Sequence, residues 1–390
     1  MHDNKKTAVA LIGSGHVNAV GIAMSLREVG WTGRIICAAP PGSVSELYPE
    51  ICETIHARWT ESADLVDYAT QFATQGAAVH LFLTDEALLD DIEAQRDALS
   101  AANVSLYPRI QNSWELVTDR KKFYDFVCSR GLAEVPQHVC HSINPWEVFP
   151  NGFRARVWKS WNRGRKLSRG MNVMNVEDFQ RWLRVVHSED LRPSEWAFQK
   201  LLSCEPRDNV SVCGWHDQDE QLYFVTRKLV QRQDIGAIVE CVSVCGDLLG
   251  TARKILVALG FEGAFELEFL RDPSDNRFKV LELNPRFWMQ HRLIAKLTDN
   301  ALVRRHLGFE LEKKRKRMSQ RGIWIDPTSI YLLLRIRPLF HILRNWPFVF
   351  FAVPVSPLVR NQALQWLAFL LVRCRARFRN GLRRILRQPL

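Results

Sequence analysis

At 390 residues the chain is long enough for two or three domains with their own cores, and 47% hydrophobic residues is ordinary for a globular protein. Nine cysteines without paired metal-type spacing exclude a zinc-knuckle or disulfide scaffold and fit a reducing compartment. The formal charge of +11 is lopsided: residues 322–390 hold 11 arginines and one acid (Asp326), leaving +1 for the rest, so the basic character belongs to the tail.

The first elements alternate. Thr7–Ile12 reads as a buried strand, too short to be a secretory core, and Asn18–Val29 has helical spacing. Arg34–Ala39 and Val79–Leu83 are further strands, and the acids after Thr84 suit a helix start. This order implies a parallel α/β sheet over residues 1–111. Gly13-Ser-Gly15-His16-Val-Asn18 lacks the third glycine of a dinucleotide fingerprint, so a tight strand-to-helix turn, or a small anion at the helix N-terminus, explains it better.

From residue 112 the pattern changes. Asn112 or Ser113 can cap a helix running from Trp114 to Arg130 and ending at Gly131. Arg154–Ser160 reads as a strand carrying Lys159, followed by the basic, glycine-containing loop Asn162–Gly170, which could wrap phosphates. Trp196–Leu202 is a further strand, and Leu222–Val230 another, bearing Arg227 and Lys228. Asp247–Leu259 is an amphipathic helix ended by Gly260.

The stretch 261–286 carries most information. β-favouring alternation flanks the turn Asp272-Pro-Ser-Asp-Asn276, giving a hairpin. With the turn centred on Asp275, Glu268 lies opposite Glu282 and Glu266 opposite Asn284, while Phe265, Leu267, Phe269, Leu281 and Leu283 form the apolar face. Opposed carboxylates repel unless a divalent cation joins them, and few hard oxygen ligands suit Mg²⁺. On this reading, removing Glu282 relieves repulsion, so metal-free melting should hold steady or rise. Arg286 shares the parity of Glu282 and Asn284, a cation suited to phosphate.

Glu282-x-Asn284-Pro-Arg286, with an acid fourteen residues earlier at Glu268, resembles the metal hairpin of the ATP-grasp superfamily, and within it the carboxylate–amine ligases. The resemblance runs over about residues 7–310. It implies an α/β and α+β protein: an N-terminal α/β pre-ATP-grasp domain (1–111), an ATP-grasp domain (112–310), and a basic linker with an apolar tail (311–390) outside it. It implies ATP and Mg²⁺, with Mn²⁺ as the alternative ion, and small-molecule carboxylate and amine substrates joined through an acyl phosphate. Residue by residue it assigns metal binding to Glu268, Glu282 and Asn284, and nucleotide binding to Lys159, Gln199, Lys200, Leu201 and Leu202. It gives ribose or acceptor contacts to Asp208 or Glu205, and charge neutralisation to Arg227, Lys228 and Arg286. Carboxyphosphate formation and a non-catalytic ATP-binding role are the alternatives.

The tail reads separately. Trp346–Val359 and Ala363–Val372 are apolar but broken by prolines and Arg360, so an interfacial placement suits them better than a membrane span. The arginines of 373–387 would then meet anionic lipid, making the protein cytoplasmic and peripheral at the inner membrane face. Docking of the tail on the protein's own body or in a homo-oligomer is the second reading, and nucleic-acid binding ranks last.

Overall fold

A computed structural model describes residues 8–57, 62–159, 161–162, 165–167, 170–202, 205–232, 235–243, 247–311, 322–326 and 349–351. Residues 1–352 form one compact unit. Within it, as the alternation implied, the first hundred residues build a five-stranded parallel sheet in the order Glu53–His56, Arg34–Ala39, Ala8–Ile12, Ala78–Phe82, Val104–Leu106. Ala8–Ile12 is buried on both faces, which explains its unbroken apolar run. Val17–Glu28 is the first helix, and Asp85 caps the turn after the fourth strand by accepting from the Ala87 N–H at 3.0 Å.

Two further sheets follow, antiparallel except where Val349–Phe351 pairs parallel with Gly322–Ile325. The smaller runs Gly170–Val173, Phe153–Val157, Trp196–Lys200, His138–Cys140, with Phe153, Ala155, Trp182 and Phe198 in its core. The larger runs Phe278–Asn284, Phe261–Arg271, Asn209–His216, Gln221–Arg232, Ile235–Val242, Gly322–Ile325, Val349–Phe351. Its apolar face packs on the helices Arg120–Ser129 and Leu248–Leu259 through Phe123, Val127, Ile255, Phe265 and Leu267. Gly260 ends the second of these at φ 60°, the left-handed turn that frees the chain to re-enter as a strand.

Several boundaries differ for identifiable reasons. The helix expected over 114–130 breaks at Asp119, which is extended and accepts from the Lys121 and Lys122 N–H groups, so two helices meet there. Lys159 lies beyond the end of its strand, Phe153–Val157. Glu240 lies inside the strand Ile235–Val242. Helices His291–Leu297 and Ala301–His306 return to the N-terminal domain, where Arg292 donates to Ser25 and Glu28 at 2.9 Å.

Gly322–Ile325 pairs with Ile235–Val242, and Val349–Phe351 pairs with Gly322–Ile325, so these pieces of the tail region are sheet strands. The remaining tail, including Ala363–Val372 and the arginines of 373–387, lies outside the described residues. Among the described residues no helix is long and apolar enough to cross a membrane.

Candidate active site

The hairpin places its acids as parity requires: Glu268 pairs directly with Glu282, and Glu266 with Asn284. Between Glu268 and Phe269 the register slips by one residue. The bulge turns Leu281 to the same side as Glu282, so Leu281 lines the cavity while Val280 and Leu283 enter the core. The expectation that Leu281 faced the core is corrected by that extra residue.

An open cavity of about 230 Å³ lies between the two mainly antiparallel sheets. One wall is Gln199, Lys200, Leu201 and Leu202 at the end of Trp196–Lys200, with Glu205 and Asn209 beyond. Glu268, Leu281 and Glu282 form the other, and Arg120, Arg154 and Arg156 line the end between them. Buried Gln199 Oε1 and Asn209 Oδ1 have no hydrogen-bond partner, leaving two acceptors for a ligand's donors. The Lys200 ammonium instead donates to Asp272 (2.9 Å) and Ser274 (2.6 Å), tying this strand to the hairpin turn.

Each acid is held by cations. Lys228 donates to Glu268 at 3.0 Å. Burial would lower the Lys228 pKa, but Glu268 and Glu266 outweigh it and hold the ammonium above its ordinary value. Arg120 donates through Nε to Glu282 at 2.6 Å and Arg156 through Nη2 at 3.2 Å. Burial, then the neighbouring Arg120, pushes the Arg156 guanidinium down. Burial, then Glu268, raises Glu266 to about 7. The expectation that Glu268 and Glu282 are unrelieved repelling acids is therefore corrected, because three cations already neutralise them.

The other assigned residues divide. Arg286 is buried and donates to Glu86 at 2.6 Å, joining the hairpin's end to the N-terminal domain. Lys159 pairs with Asp90 in a second cavity, not in the larger one. Asp208 pairs with Arg271 at 3.3 Å and is not a wall residue; its neighbour Asn209 is. Arg227 and Lys228 do not act as a pair, since adjacent strand residues face opposite sides. Arg227 pairs across the sheet with Val210 of the core face and donates to Glu240 at 2.6 and 2.9 Å. Of the phosphate loop, Trp161–Asn162 pairs with Arg165–Lys166; residues 163, 164, 168 and 169 lie outside the described residues.

Arg120, Arg154 and Arg156 line the cavity, although the sequence motifs did not single them out. Arg154 and Arg156 alternate with buried Phe153, Ala155 and Val157, so two charges on one face of a buried strand were the available signal. Arg120 meets Glu282 across 162 positions, and nothing local announces that.

The donor set fits a divalent cation. Two carboxylates face each other across the strands, and the Asn284 amide lies 3.5 Å from Glu268. Among the described residues no cluster of three His, Cys, Asp or Glu side chains would hold a metal alone, so a cation here would need further oxygen ligands, such as those of phosphate or water.

Comparison with known proteins bears on the fold. Residues 245–313, which include the hairpin, match the family model described as carbamoyl-phosphate synthase L chain, ATP binding domain. The structure resembles a biotin carboxylase–β-γ-ATP complex from Campylobacter jejuni (TM-score 0.61, 16% identity, 82% of this chain and 74% of that one). It also resembles N5-carboxyaminoimidazole synthetase from Staphylococcus aureus (0.58, 17%, 80% and 81%). The chain has the ATP-grasp fold. A third match, the Aspergillus clavatus N5-carboxyaminoimidazole synthase in complex with ADP and 5-aminoimidazole ribonucleotide, has TM-score 0.59 at 13% identity over 82% of this chain and 81% of that one. No curated protein matches by sequence. The ATP-grasp hairpin is thus the best-marked part of the chain, and the fold around it is shared with nucleotide-bound structures.

Proposed function

We propose that this ATP-grasp protein is an ATP- and Mg²⁺-dependent ligase that joins a carboxylate to an amine through an acyl phosphate, releasing ADP. The observation that carries the reading is the Glu268–Glu282 cross-strand pair, set in a cavity with three arginines at one end and the unpaired acceptors Gln199 Oε1 and Asn209 Oδ1 in its wall.

Glu268, Glu282 and Asn284 would hold the metal, with Mn²⁺ as the alternative ion. When bound, the metal supplies charge neutralisation to the phosphate oxygens. Arg154 and Arg156 orient the triphosphate by charge-assisted hydrogen bonds. Lys228, fully charged beside Glu268, balances the acids before nucleotide arrives. Leu201, Leu202 and Leu281 exclude water from the base, and Gln199 accepts from its amino group. A substrate carboxylate oxygen attacks the γ-phosphorus, the bond to the bridging oxygen breaks, and its electron pair leaves on ADP. The amine nitrogen then attacks the acyl carbon, loses a proton, and phosphate departs with the C–O electron pair. Such chemistry depends on positioning and charge more than on a covalent nucleophile, consistent with a cavity that offers arginines and carboxylates.

A second reading places bicarbonate in the carboxylate's position, favoured by the likeness to a structure named as a biotin carboxylase. Calorimetric titration with a non-hydrolysable ATP analogue tests the shared step. Binding that requires Mg²⁺ and weakens in Arg156→Ala is expected; equal binding with and without the metal would remove the metal role.

A further inference from the structure

A second, smaller cavity, with room for only a few waters while Lys159 and Asp90 are paired, adjoins the first and shares Arg120 and Glu282 with it, so their ion pair is the partition. Its remaining polar wall comes from Glu86 and Asp90 of the N-terminal domain, Thr118 of the helix before Asp119, Lys159 and Asn284. Each of these acids is matched by a cation, Glu86 by Arg286, Asp90 by Lys159 and Glu282 by Arg120, so the wall carries no surplus negative charge. A dianionic phosphate would find no cation here that is not already matched by an acid, whereas a zwitterion, itself neutral, can exchange partners with an ion pair and leave the balance unchanged. Thr118 Oγ1 is buried with no hydrogen-bond partner, a further group for a small polar ligand.

Three ion pairs bound this space: Arg120–Glu282, Arg286–Glu86 and Lys159–Asp90. The first two have side chains at most 18% exposed, while Lys159 and Asp90 are 35% and 41% exposed. Lys159–Asp90 is therefore the pair that opens most readily, its charges being already hydrated. A molecule with both an ammonium and a carboxylate, inserted there, exchanges one ion pair for two.

We propose that this cavity binds an α-amino acid as its zwitterion, with the ammonium on Asp90 and the carboxylate on Lys159 and Arg120. The carboxylate then lies at the partition next to the phosphate site and is the group activated. The ammonium, anchored on an acid, stays protonated and is no nucleophile, so the amine that completes the reaction is a different molecule. This rests on the ligase reading above and narrows its substrate class away from phosphorylated ribonucleotides.

The test is saturation-transfer NMR on the full chain with Mg²⁺ and a non-hydrolysable ATP analogue. Each of the twenty L-amino acids is compared with 5-aminoimidazole ribonucleotide. At least one amino acid is expected to bind, its N-acetyl and methyl-ester forms to fail, and Asp90→Asn to weaken it by about tenfold or more, from loss of a charged hydrogen bond. Asp90 is exposed enough that the variant should fold, and the affinity for the analogue should not change. Binding of the analogue with no amino acid bound, or with the ribonucleotide bound more tightly than any amino acid, overturns the zwitterion assignment and leaves the ligase reading standing. Failure of the analogue itself to bind overturns the ligase reading, and this proposal with it.

Discussion

Replacing Glu282 by alanine sets two electrostatic effects against each other. With an effective dielectric constant of ~20, like charges ~5 Å apart across a strand pair cost about 3 kcal/mol, which the substitution would relieve. The same substitution strands Arg120 and Arg156, whose side chains are each 11% exposed and both of which donate to Glu282. At ~3 Å each guanidinium is worth roughly 5 kcal/mol to the carboxylate in the same dielectric, so the loss exceeds the relief. Breaking a buried pair by removing one partner costs about 3–5 kcal/mol. With ~2–4 °C per kcal/mol for a sizeable domain, Tm should fall by roughly 6–20 °C. Scanning calorimetry without nucleotide or Mg²⁺ measures it, and Mg²⁺-dependent turnover should vanish in the same variant. An unchanged or higher Tm would show that bare repulsion between Glu268 and Glu282 governs the site and that the arginine contacts carry little energy.

Arg227→Ala should leave the KM for ATP and kcat unchanged, because Arg227 faces Glu240 on the far side of the sheet; a clear rise in KM would return it to the phosphate site. Burial holds His291 down to about 4 and His306 down to about 3, both neutral in the fold. Such groups stabilise above their unfolded value near 6.5, and that stability is lost as pH falls towards 4 and 3. Tm should therefore drop across that window, and less steeply in His291→Gln; identical slopes would exclude His291. Gly170 has φ +117°, and an added Cβ would lie 2.1 Å from the Ala155 carbonyl oxygen, so Gly170→Ala should displace the strand carrying Arg156 and weaken nucleotide binding; unaltered affinity would refute the coupling. Anionic vesicles at low salt should float the full chain but not a version ending at Ala352, while equal flotation of the two would contradict lipid binding by the arginine-rich tail.

The register of the hairpin was legible because strand parity is arithmetic: once Asp275 centres the turn, Glu268 must meet Glu282. The bulge that turns Leu281 into the cavity was not legible, since one inserted residue leaves no compositional trace. Parity also contained the correction to Arg227 and Lys228, which as neighbours on one strand could not both face the phosphates. Lys159 looked like a strand residue, but its strand ends at Val157 and the side chain goes to Asp90 instead. The Asp119 break was readable as an N-cap, yet its consequence, Arg120 on Glu282, depends on a contact spanning the whole domain. Local rules gave the strands and the acids; which cation answers each acid is settled only when the sheets pack.

The most direct test of the ligase account is an isotope experiment. Carboxylates labelled with ¹⁸O, amino acids first, are incubated with the enzyme, ATP, Mg²⁺ and an amine panel, and the released phosphate is analysed by mass spectrometry. The account predicts ADP together with inorganic phosphate carrying one ¹⁸O atom from the carboxylate. Unlabelled phosphate, or AMP and pyrophosphate in place of ADP, would contradict it.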